Sequence, residues 1–517
     1  MRVHPTVVTM VWRGGDAWYT EVAPSHRAER GNARTPGRVP VDRAPLSEAI
    51  VEELGTLFVS ELQRVGPELV AADLDGIERH LQEVSRRVLG RVVEAVVTAI
   101  AAGQAGERPT CGTCDRPMRA VDPARPRALQ GLVGDYQVHR AYYVCDRCGH
   151  GVAPLDERLG LGAGALSPGL ARVACRVGIE AGFGTAADLL EETLRVDVAT
   201  EAVRRVTEGI GAVAEAEEQA WVAQAQAGQA PPPAGGETPP AALVVEVDGV
   251  QVHAGGDWHE VKVGLVAPLG PATRTVAATG RVALTLGRQS ACAGFETAAL
   301  FWYRVYVAAC LRGLHTPELA LVVVLGDGAD WIWRYAWQFL GRREVEVIEI
   351  VDIFHAWGHL WTVANAAFGA GTAQAAAWAE PLTGRLLDAG PAPILTALAE
   401  LTPIVSGTDA AEEVRKARGY FTDHADRMDY PRFVARQLPI GSGGVESACK
   451  TLIQTREKQA GMRWSQAGAQ TVASLRALHR SGRWDRFWRT HPQRRRPPIA
   501  PRHPTTAATA PADARAA

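Results

Sequence analysis

Two apolar runs that each end in an acidic residue decide the fold of this chain: Leu243-Val244-Val245-Glu246-Val247-Asp248-Gly249 and Leu321-Val322-Val323-Val324-Leu325-Gly326-Asp327-Gly328. Short continuous apolar runs of this kind are typical of strands that are buried on both faces of a sheet. A carboxylate at the end of a buried strand costs free energy unless it is paired or bound to a metal ion. Asp248 and Asp327 are therefore candidate metal ligands.

The segments around these runs alternate between strand and helix patterns. They predict a hairpin, a third strand, a helix, a helix after the second run, and a further strand, over residues 250–266, 275–286, 297–311, 331–340 and 345–351. The resulting order is three strands in a meander, then helix, strand, helix, strand and further helices. This order predicts an α/β chain with an RNase H-like catalytic domain. In that fold the first strand, the strand after the first helix and a late helix carry the metal carboxylates.

The third candidate acid is Glu446, near the start of a predicted helix after the breaker Gly441-Ser442-Gly443-Gly444. Each of the three acids also has an ordinary structural interpretation. Asp-Gly is a common turn dipeptide, and a glutamate in a first helical turn favours the helix dipole. Asp330 competes with Asp327, but it lies about one turn into the following helix, so the strand end favours Asp327. Together Asp248, Asp327 and Glu446 predict a site for two Mg²⁺ ions.

Two Cys-x-x-Cys pairs mark a separate segment. Cys111-Gly112-Thr113-Cys114 and Cys145-Asp146-Arg147-Cys148-Gly149 are separated by 30 residues. Four thiols paired in this way predict one structural Zn²⁺ in a zinc ribbon. A redox role is the weaker interpretation, because no thioredoxin-like βαβ pattern surrounds either pair. The other cysteines, Cys449 among them, look like ordinary small core residues.

Length and punctuation divide the remaining sequence, since 517 residues exceed what one core usually holds. The clearest boundary is the proline-rich stretch that begins at Gln229. The predicted segments are a disordered arm (1–45), a helical N-terminal region (46–105), the zinc ribbon (106–160), a helical, helix-turn-helix-like region (161–228), a linker (229–240), the first part of the RNase H-like core (241–357), a helical insertion (358–435), the catalytic-Glu helix with basic C-terminal helices (436–496) and a disordered tail (497–517).

Positive charge is concentrated near the C-terminus, although the formal net charge of the whole chain is only −2. Residues 450–496 contain 12 Lys and Arg against 2 acids, an excess of 10 (12 − 2). Such a stretch can neutralise phosphates, or it can form a solvated helical face with a flexible tail. The predicted DNA-contacting residues are Lys450, Arg456, Lys458, Arg463 and Trp464, the tryptophan as a support for flipped bases.

Two further patterns each allow two interpretations. Residues 166–210 combine helix, glycine-containing turn and helix with Thr200, Arg204 and Arg205, which fits a helix-turn-helix DNA reader or an amphipathic bundle used for packing. Asp352 and His355 stand three apart at a helix start, where they could support the metal site or touch DNA. Alternatively, Asp352 is a helix N-cap and His355 a buried, satisfied histidine.

The ordered series of these motifs resembles a known family. Val247-Asp248-Gly249, Gly326-Asp327-Gly328-Ala329-Asp330-Trp331, Asp352-Ile353-Phe354-His355, Gly443-Gly444-Val445-Glu446-Ser447 and Thr455-Arg456-Glu457-Lys458 are similar to the motifs of bacterial insertion-sequence DDE transposases of the ISKra type. The resemblance covers roughly residues 105–490. It implies that Asp248, Asp327 and Glu446 are the DDE triad and that Asp352 and His355 match a recurrent element after the second aspartate.

The sequence thus predicts a transposase that cuts the terminal inverted repeats of its element and joins them to target DNA, as a homo-oligomer on DNA. The alternatives are a non-catalytic DNA-binding regulator and a host nuclease of the same fold for branched DNA. No charge-free run of about 18 apolar residues occurs, so no membrane span is predicted. Eight cysteines are too few for a disulfide scaffold of this length, and we expect a cytoplasmic, nucleoid-associated protein.

Overall fold

The computed structural model describes residues 48–102, 108–233, 238–270, 274–276, 282–284 and 288–490. The predicted arm (1–45) and tail (497–517) lie outside the described residues. Within the described segments, no helix combines the length and the apolar character that crossing a membrane requires.

The first half of the described chain is helical at both ends with a small sheet between. Its helices are α1 (Glu48–Ala71), α2 (Leu74–Ala102), α3 (Pro154–Arg158), α4 (Pro168–Gly178), α5 (Phe183–Leu194) and α6 (Thr200–Gln226). Its strands are β1 (Arg119–Gly131), β2 (Gly134–Val144) and β3 (Gly151–Val152), which form an antiparallel sheet. This sheet occupies the segment in which the two cysteine pairs lie.

The second half contains the larger sheet and the helices that cover it. Its strands are β4 (Ala242–Ala254), β5 (Asp257–Pro268), β6 (Arg274–Val276), β7 (Val282–Leu284), β8 (Ser290–Gly294), β9 (Leu321–Gly326) and β10 (Glu346–Val351). Its helices are α7 (Ala298–Leu311), α8 (Asp330–Leu340), α9 (Ile353–Phe368), α10 (Ala373–Ala389), α11 (Ala392–Leu401), α12 (Ala410–Asp423), α13 (Tyr430–Ala435), α14 (Gly443–Ala448), α15 (Thr455–Glu457), α16 (Gln466–Arg480) and α17 (Trp484–Thr490). A π-helical segment, Cys449–Gln454, joins α14 to α15.

A mixed five-stranded sheet organises this half, in the order β10-β9-β4-β5-β8. The strands β10, β9 and β4 run parallel to one another. The strand β5 is antiparallel to both of its neighbours, β4 and β8. The chain therefore has a mixed α/β fold, and β4 is the central strand. Its first residues are buried on both faces, which explains why its sequence is continuously apolar there.

Two details of the predicted strands were wrong. The structure has one strand, β4, where the sequence pattern suggested a strand over 243–249 followed by a separate hairpin strand over 250–253. The third strand of the meander is β8 rather than residues 275–286, of which the described parts belong to a separate two-stranded sheet of β6 and β7. The strand β8, Ser-Ala-Cys-Ala-Gly, contains small residues with weak strand propensity, so the sequence did not identify it. The alternating residues before it were predicted as the third strand instead.

Helices cover both faces of the sheet. The helices α7, α8 and α9 share a large apolar core with the parallel strands, and helices of the predicted insertion join the same core through Leu382, Leu386, Ile394 and Leu398. A second core forms where the hairpin of β4 and β5 packs against α14, the π-helical segment and α16. The insertion therefore shares the core of the sheet instead of forming a separate unit, and α9 runs through its predicted boundary at residue 358.

A buried charge network ties α6 to the sheet. Arg304 of α7 pairs with Glu215 of α6 at 2.5 Å and with Glu218 at 3.4 Å, and it also contacts Glu296. Ser474 of α16 donates to Glu215 at 2.6 Å. A buried guanidinium needs such partners, because an unpaired charge in the interior is strongly destabilising. The network fixes three helices around the edge strand β8.

Candidate functional site

The parallel pairing of β4, β9 and β10 ends at one row of the sheet, beyond which β4 continues to Ala254. Glu246 of β4 is level with Leu325 of β9, and Val351 of β10 is level with Gly326. Continuing these registers places Asp248 level with Asp327 and Asp327 level with Asp352. The backbone N–H of Asp352 donates to the carbonyl of Gly326 at 2.8 Å, which keeps β10 and β9 together up to this row. Neighbouring strands lie about 4.8 Å apart, so the sheet brings three aspartates to one edge.

Asp248 lies half-buried in this row. Its carboxylate accepts hydrogen bonds from the backbone N–H of Gly249 at 2.7 Å and from the thiol of Cys449 at 3.4 Å. Burial raises the pKa of Asp248, and the nearby carboxylates of Asp327 and Glu446 raise it further. Asp248 is thus close enough to both Asp327 and Glu446 for their negative charges to disfavour its own.

Asp327 lies in a turn that is held from two sides. Its carboxylate accepts a hydrogen bond from the backbone N–H of Ala329 at 2.9 Å. The hydroxyl of Tyr420, from the helical insertion, donates to the backbone carbonyl of Asp327 at 3.0 Å. Asp330 is exposed at the first residue of α8 and is not among the groups that raise the pKa of Asp248. The structure therefore favours Asp327 over Asp330 as the partner of Asp248.

Glu446 is exposed in the first turn of α14, and two buried acids fix the start of that helix. Glu246 accepts a hydrogen bond from the backbone N–H of Val445 at 2.6 Å. Asp352 accepts a hydrogen bond from the backbone N–H of Ser442 at 2.6 Å and another from the Ser442 hydroxyl. Burial raises the pKa of Glu246 to about 7. These contacts across 199 and 90 residues of sequence bring Glu446 to the row of aspartates.

Asp352 and His355 were each open to two interpretations, as groups that support the metal site or touch DNA, or as a helix N-cap and a buried histidine. The Asp352 carboxylate caps α9 by accepting from the backbone N–H of Phe354 at 2.6 Å and of His355 at 3.0 Å. The His355 side chain is exposed, and its ring centroid lies 5.2 Å from that of His359. His359 in turn stacks on Tyr420 at 3.9 Å. The N-cap interpretation is confirmed for Asp352, whereas the expectation of a buried His355 was wrong.

The four predicted zinc ligands come together. Cys111, Cys114, Cys145 and Cys148 form the only group of three or more potential metal ligands, among the described residues, whose ligand atoms all lie within 4.8 Å of one another. By the same measure, the three carboxylates of Asp248, Asp327 and Glu446 are more widely spread. The cysteine cluster could hold a structural zinc ion, since four thiolates are a common donor set for that metal.

Each cysteine pair lies in a tight backbone turn. The N–H of Asp115 donates to the carbonyl of Cys111 at 2.9 Å, and the N–H of Gly149 donates to the carbonyl of Cys145 at 2.8 Å. Both closing residues have positive φ, 51° for Asp115 and 70° for Gly149. Backbone N–H groups of Cys148 and Arg147 lower the pKa of the Cys145 thiol to about 7, which favours the thiolate that metals bind.

The predicted DNA-contacting residues separate into two groups. Lys450, Lys458 and Arg463 are exposed, as the prediction requires. Arg456 and Trp464 are 1% and 9% exposed, so they are not available to DNA in this structure. The prediction was wrong for these two because the sequence alone does not show whether a basic or aromatic side chain points to the surface or to the interior.

The interior of the basic stretch uses its arginines as structural cations. The Arg456 guanidinium lies 4.5 Å from the ring centroid of Phe183 and 4.8 Å from that of Trp464. Arg476 donates to backbone carbonyls of Leu452, Thr451 and Ile179. Part of the excess positive charge of residues 450–496 therefore interacts with groups inside the fold and is not available to bind phosphates.

The helix-turn-helix candidate is integrated into the fold. Arg204 pairs with Glu201 and Glu208, both at 2.6 Å, and Arg205 pairs with Glu201 at 3.1 Å. A Cβ on Gly211 of α6 would lie 2.5 Å from the Thr471 carbonyl of α16, so this glycine permits close helix packing. These contacts support the packing interpretation of α6.

Sequence inspection missed several residues at the site. Glu246 could have been identified from the sequence, because it is a carboxylate inside an apolar run. It was not predicted as a site residue, because Asp248 at the end of that run was chosen instead. Tyr420 lies in a helix without any motif, and His359 lies one turn beyond the motif of Asp352 and His355, so their position near Asp327 follows from tertiary packing alone. No protein-family model matches the chain, and no curated protein matches it.

Proposed function

We propose that this chain is a DDE transposase that cleaves the ends of an insertion sequence and transfers the strands to target DNA. The observation that carries the proposal is the row formed by Asp248 within β4 and Asp327 directly after β9, with the helix of Glu446 held beside it. The series of motifs that resembles those of ISKra-type transposases supports the same function. The chain would act as a homo-oligomer, because two element ends must be joined.

The sheet order supports an RNase H-like interpretation of the catalytic domain. An antiparallel meander of β4, β5 and β8 is extended on the other side of β4 by the parallel strands β9 and β10. In this interpretation Asp248 belongs to the first strand, Asp327 follows the fourth, and Glu446 lies on the late helix. The helices between residues 358 and 435 are an insertion that contributes Tyr420 to the Asp327 turn.

The donor set fits a pair of hard divalent cations. Asp248, Asp327 and Glu446 offer only carboxylate oxygens, the ligands that Mg²⁺ prefers, and burial together with the charges of Asp327 and Glu446 raises the pKa of Asp248. Two bound Mg²⁺ ions would supply activation of the attacking water or 3′-hydroxyl and stabilisation of the leaving 3′ oxygen. Small movements of the exposed Glu446 side chain are enough to change its distance from the two aspartates.

Other residues of the chain keep this site in place. Glu246 and Asp352 hold the start of α14 through the backbone N–H groups of Val445 and Ser442. Tyr420 holds the carbonyl of Asp327. A catalytic geometry fixed by hydrogen bonds from its supports is the general requirement for metal-assisted phosphoryl transfer.

The remaining segments supply DNA contacts in this proposal. The cysteine cluster with β1, β2 and β3 is a zinc ribbon that, with the helices after it, binds the terminal inverted repeats. Lys450, Lys458 and Arg463 follow Glu446 in sequence and contact phosphates near the cleavage site. The three lysine and arginine side chains are exposed, which supports this role.

A strand-cleavage assay tests the proposed function. The substrate is linear DNA carrying the native sequences that flank the gene, end-labelled and incubated with the full chain and Mg²⁺. We expect nicks at the element boundaries that disappear with EDTA. Tight Mg²⁺-independent binding without any nicking would identify a DNA-binding regulator instead. Cleavage of branched junctions irrespective of terminal sequence would identify a host nuclease.

A further inference from the structure

The tip of the β4–β5 hairpin presents a large aromatic side chain to the surface. Trp258 is 59% exposed, directly after the turn Gly255-Gly256-Asp257. Both glycines have positive φ, 65° and 94°, so the turn is tight and the tryptophan stands at its base. An indole this exposed buries little area in the fold and contributes little to its stability.

The hairpin tip is held firmly despite its exposure. The backbone N–H of Gly255 donates to the carbonyl of Trp464 at 2.8 Å, and Ala254 forms a parallel bridge with Trp464. Trp464 itself is buried against Arg456 and against Phe183, whose ring lies 5.9 Å away. Arg456 and Trp464, which were predicted to contact DNA, thus lie beneath the hairpin tip and hold the turn that precedes Trp258.

Cationic and aromatic groups surround the exposed indole. The ammonium of Lys458 lies 5.9 Å from the Trp258 ring centroid, and the ring of His253 lies 5.6 Å away in an edge-on arrangement. Arg463 is exposed next to Trp464 in the chain. The exposed Asp257 carboxylate accepts a hydrogen bond from the backbone N–H of Trp258 at 2.7 Å. An aromatic face with a lysine beside it suits a nucleotide, whose base stacks while its phosphate pairs with the cation.

The patch also lies along the continuation of the Glu446 helix. The helical path from Glu446 through the π-helical segment to Lys458 is unbroken in sequence and spans 12 residues (458 − 446), or roughly 18 Å at the rise of an α-helix. A strand whose phosphate lies at Glu446 can therefore reach Trp258 within a short single-stranded stretch.

We propose that Trp258 is the base-stacking residue of this chain, and that it holds an unpaired nucleotide of a single DNA strand with Lys458 and Arg463 on the adjoining phosphates. The inference rests on the proposed function, because it names how the same enzyme holds its DNA. Stacking on an indole is tolerant of base identity, so the contact is expected to be independent of sequence.

Fluorescence anisotropy with a fluorescein-labelled oligothymidylate tests this inference in the full chain, without divalent metal so that no cleavage occurs. Trp258→Ala is expected to weaken binding about tenfold, equivalent to about 1.4 kcal/mol. Trp258→Phe, which retains a ring, should remain within about threefold of the unsubstituted chain. The matched control is Trp337→Ala, because Trp337 on α8 is 62% exposed but lies away from the hairpin, and its removal should leave binding unchanged.

The possible outcomes separate this inference from the proposed function. Equal affinity of the Trp258→Ala variant and the unsubstituted chain would overturn the stacking role alone. No detectable binding of the oligonucleotide by the unsubstituted chain would overturn the stacking role, whereas the transposase proposal stands or falls with the cleavage assay. A variant that binds DNA normally but sediments as a smaller species would show that Trp258 contacts a second copy of the chain, which also overturns the inference.

Discussion

Replacing Asp327 with asparagine is expected to reduce Mg²⁺-dependent strand cleavage by on the order of a thousandfold or more while leaving DNA binding intact. Asparagine keeps the size of the side chain and an oxygen that can accept the N–H of Ala329. It loses the negative charge that a divalent cation requires at this position. The measurement is single-turnover cleavage of end-labelled DNA, with binding followed separately by a mobility shift.

The matched control is Asp330→Asn, three residues away on α8. Asp330 is exposed and does not perturb Asp248, so this change should alter cleavage by less than about threefold. Thermal unfolding of both variants should match that of the unsubstituted chain. Full cleavage by Asp327→Asn together with inactivity of Asp330→Asn would transfer the catalytic role to Asp330 and contradict the assignment.

Loss of zinc should disorder the two cysteine turns. Apart from the cysteines, the apolar cluster around these turns holds Met118 with partial cover from Tyr143 and Val152, which is too little to order them alone. Leu129 and Val138 of the sheet pack with Val97 of α2 in a separate core and are expected to stay folded. Zinc binding in small finger peptides is worth on the order of 10 kcal/mol, so the turns lose their order with the metal. We expect Cys145→Ser to abolish bound zinc, measured by atomic emission, and to make residues 108–118 and 144–152 sensitive to limited proteolysis.

Cys310→Ser is the control for this experiment, because Cys310 is buried in the core of the large sheet and lies outside the cluster. It should retain one zinc ion per chain even if the change lowers the stability of the sheet. Zinc content unaffected by Cys145→Ser, or a chain that holds no zinc when produced in zinc-containing medium, would contradict the structural-metal account.

The sequence allowed most of the central sheet to be predicted because its strands are strongly apolar. The pattern identified β9 and β10 and the helices around them to within one or two residues. It also led to Asp248 and Asp327, which lie on neighbouring parallel strands, but it ended the first strand at Gly249, whereas β4 continues to Ala254. The cysteine cluster was predictable because the local Cys-x-x-Cys turn constrains the thiols.

The parts that could not be predicted depend on contacts between distant segments. Nothing near Glu446 in sequence indicates that Glu246 holds its helix from 199 residues away. Likewise, composition cannot distinguish Arg456, which is enclosed by two aromatic rings, from an arginine that faces DNA. Tertiary packing decides whether a polar side chain is buried. For this reason the charges of residues 450–496 predicted the exposed basic residues but not the buried ones.

The central claim is that Asp248, Asp327 and Glu446 jointly hold the catalytic cations, and metal-bound crystals test it most directly. The measurement is anomalous scattering from crystals of the full chain with DNA and Mn²⁺, a substitute for Mg²⁺ that can be located by its signal. The account predicts two Mn²⁺ ions coordinated by these three carboxylates. Mn²⁺ ions held by other acidic residues in a cleavage-competent crystal, with none at Asp248 or Asp327, would contradict it.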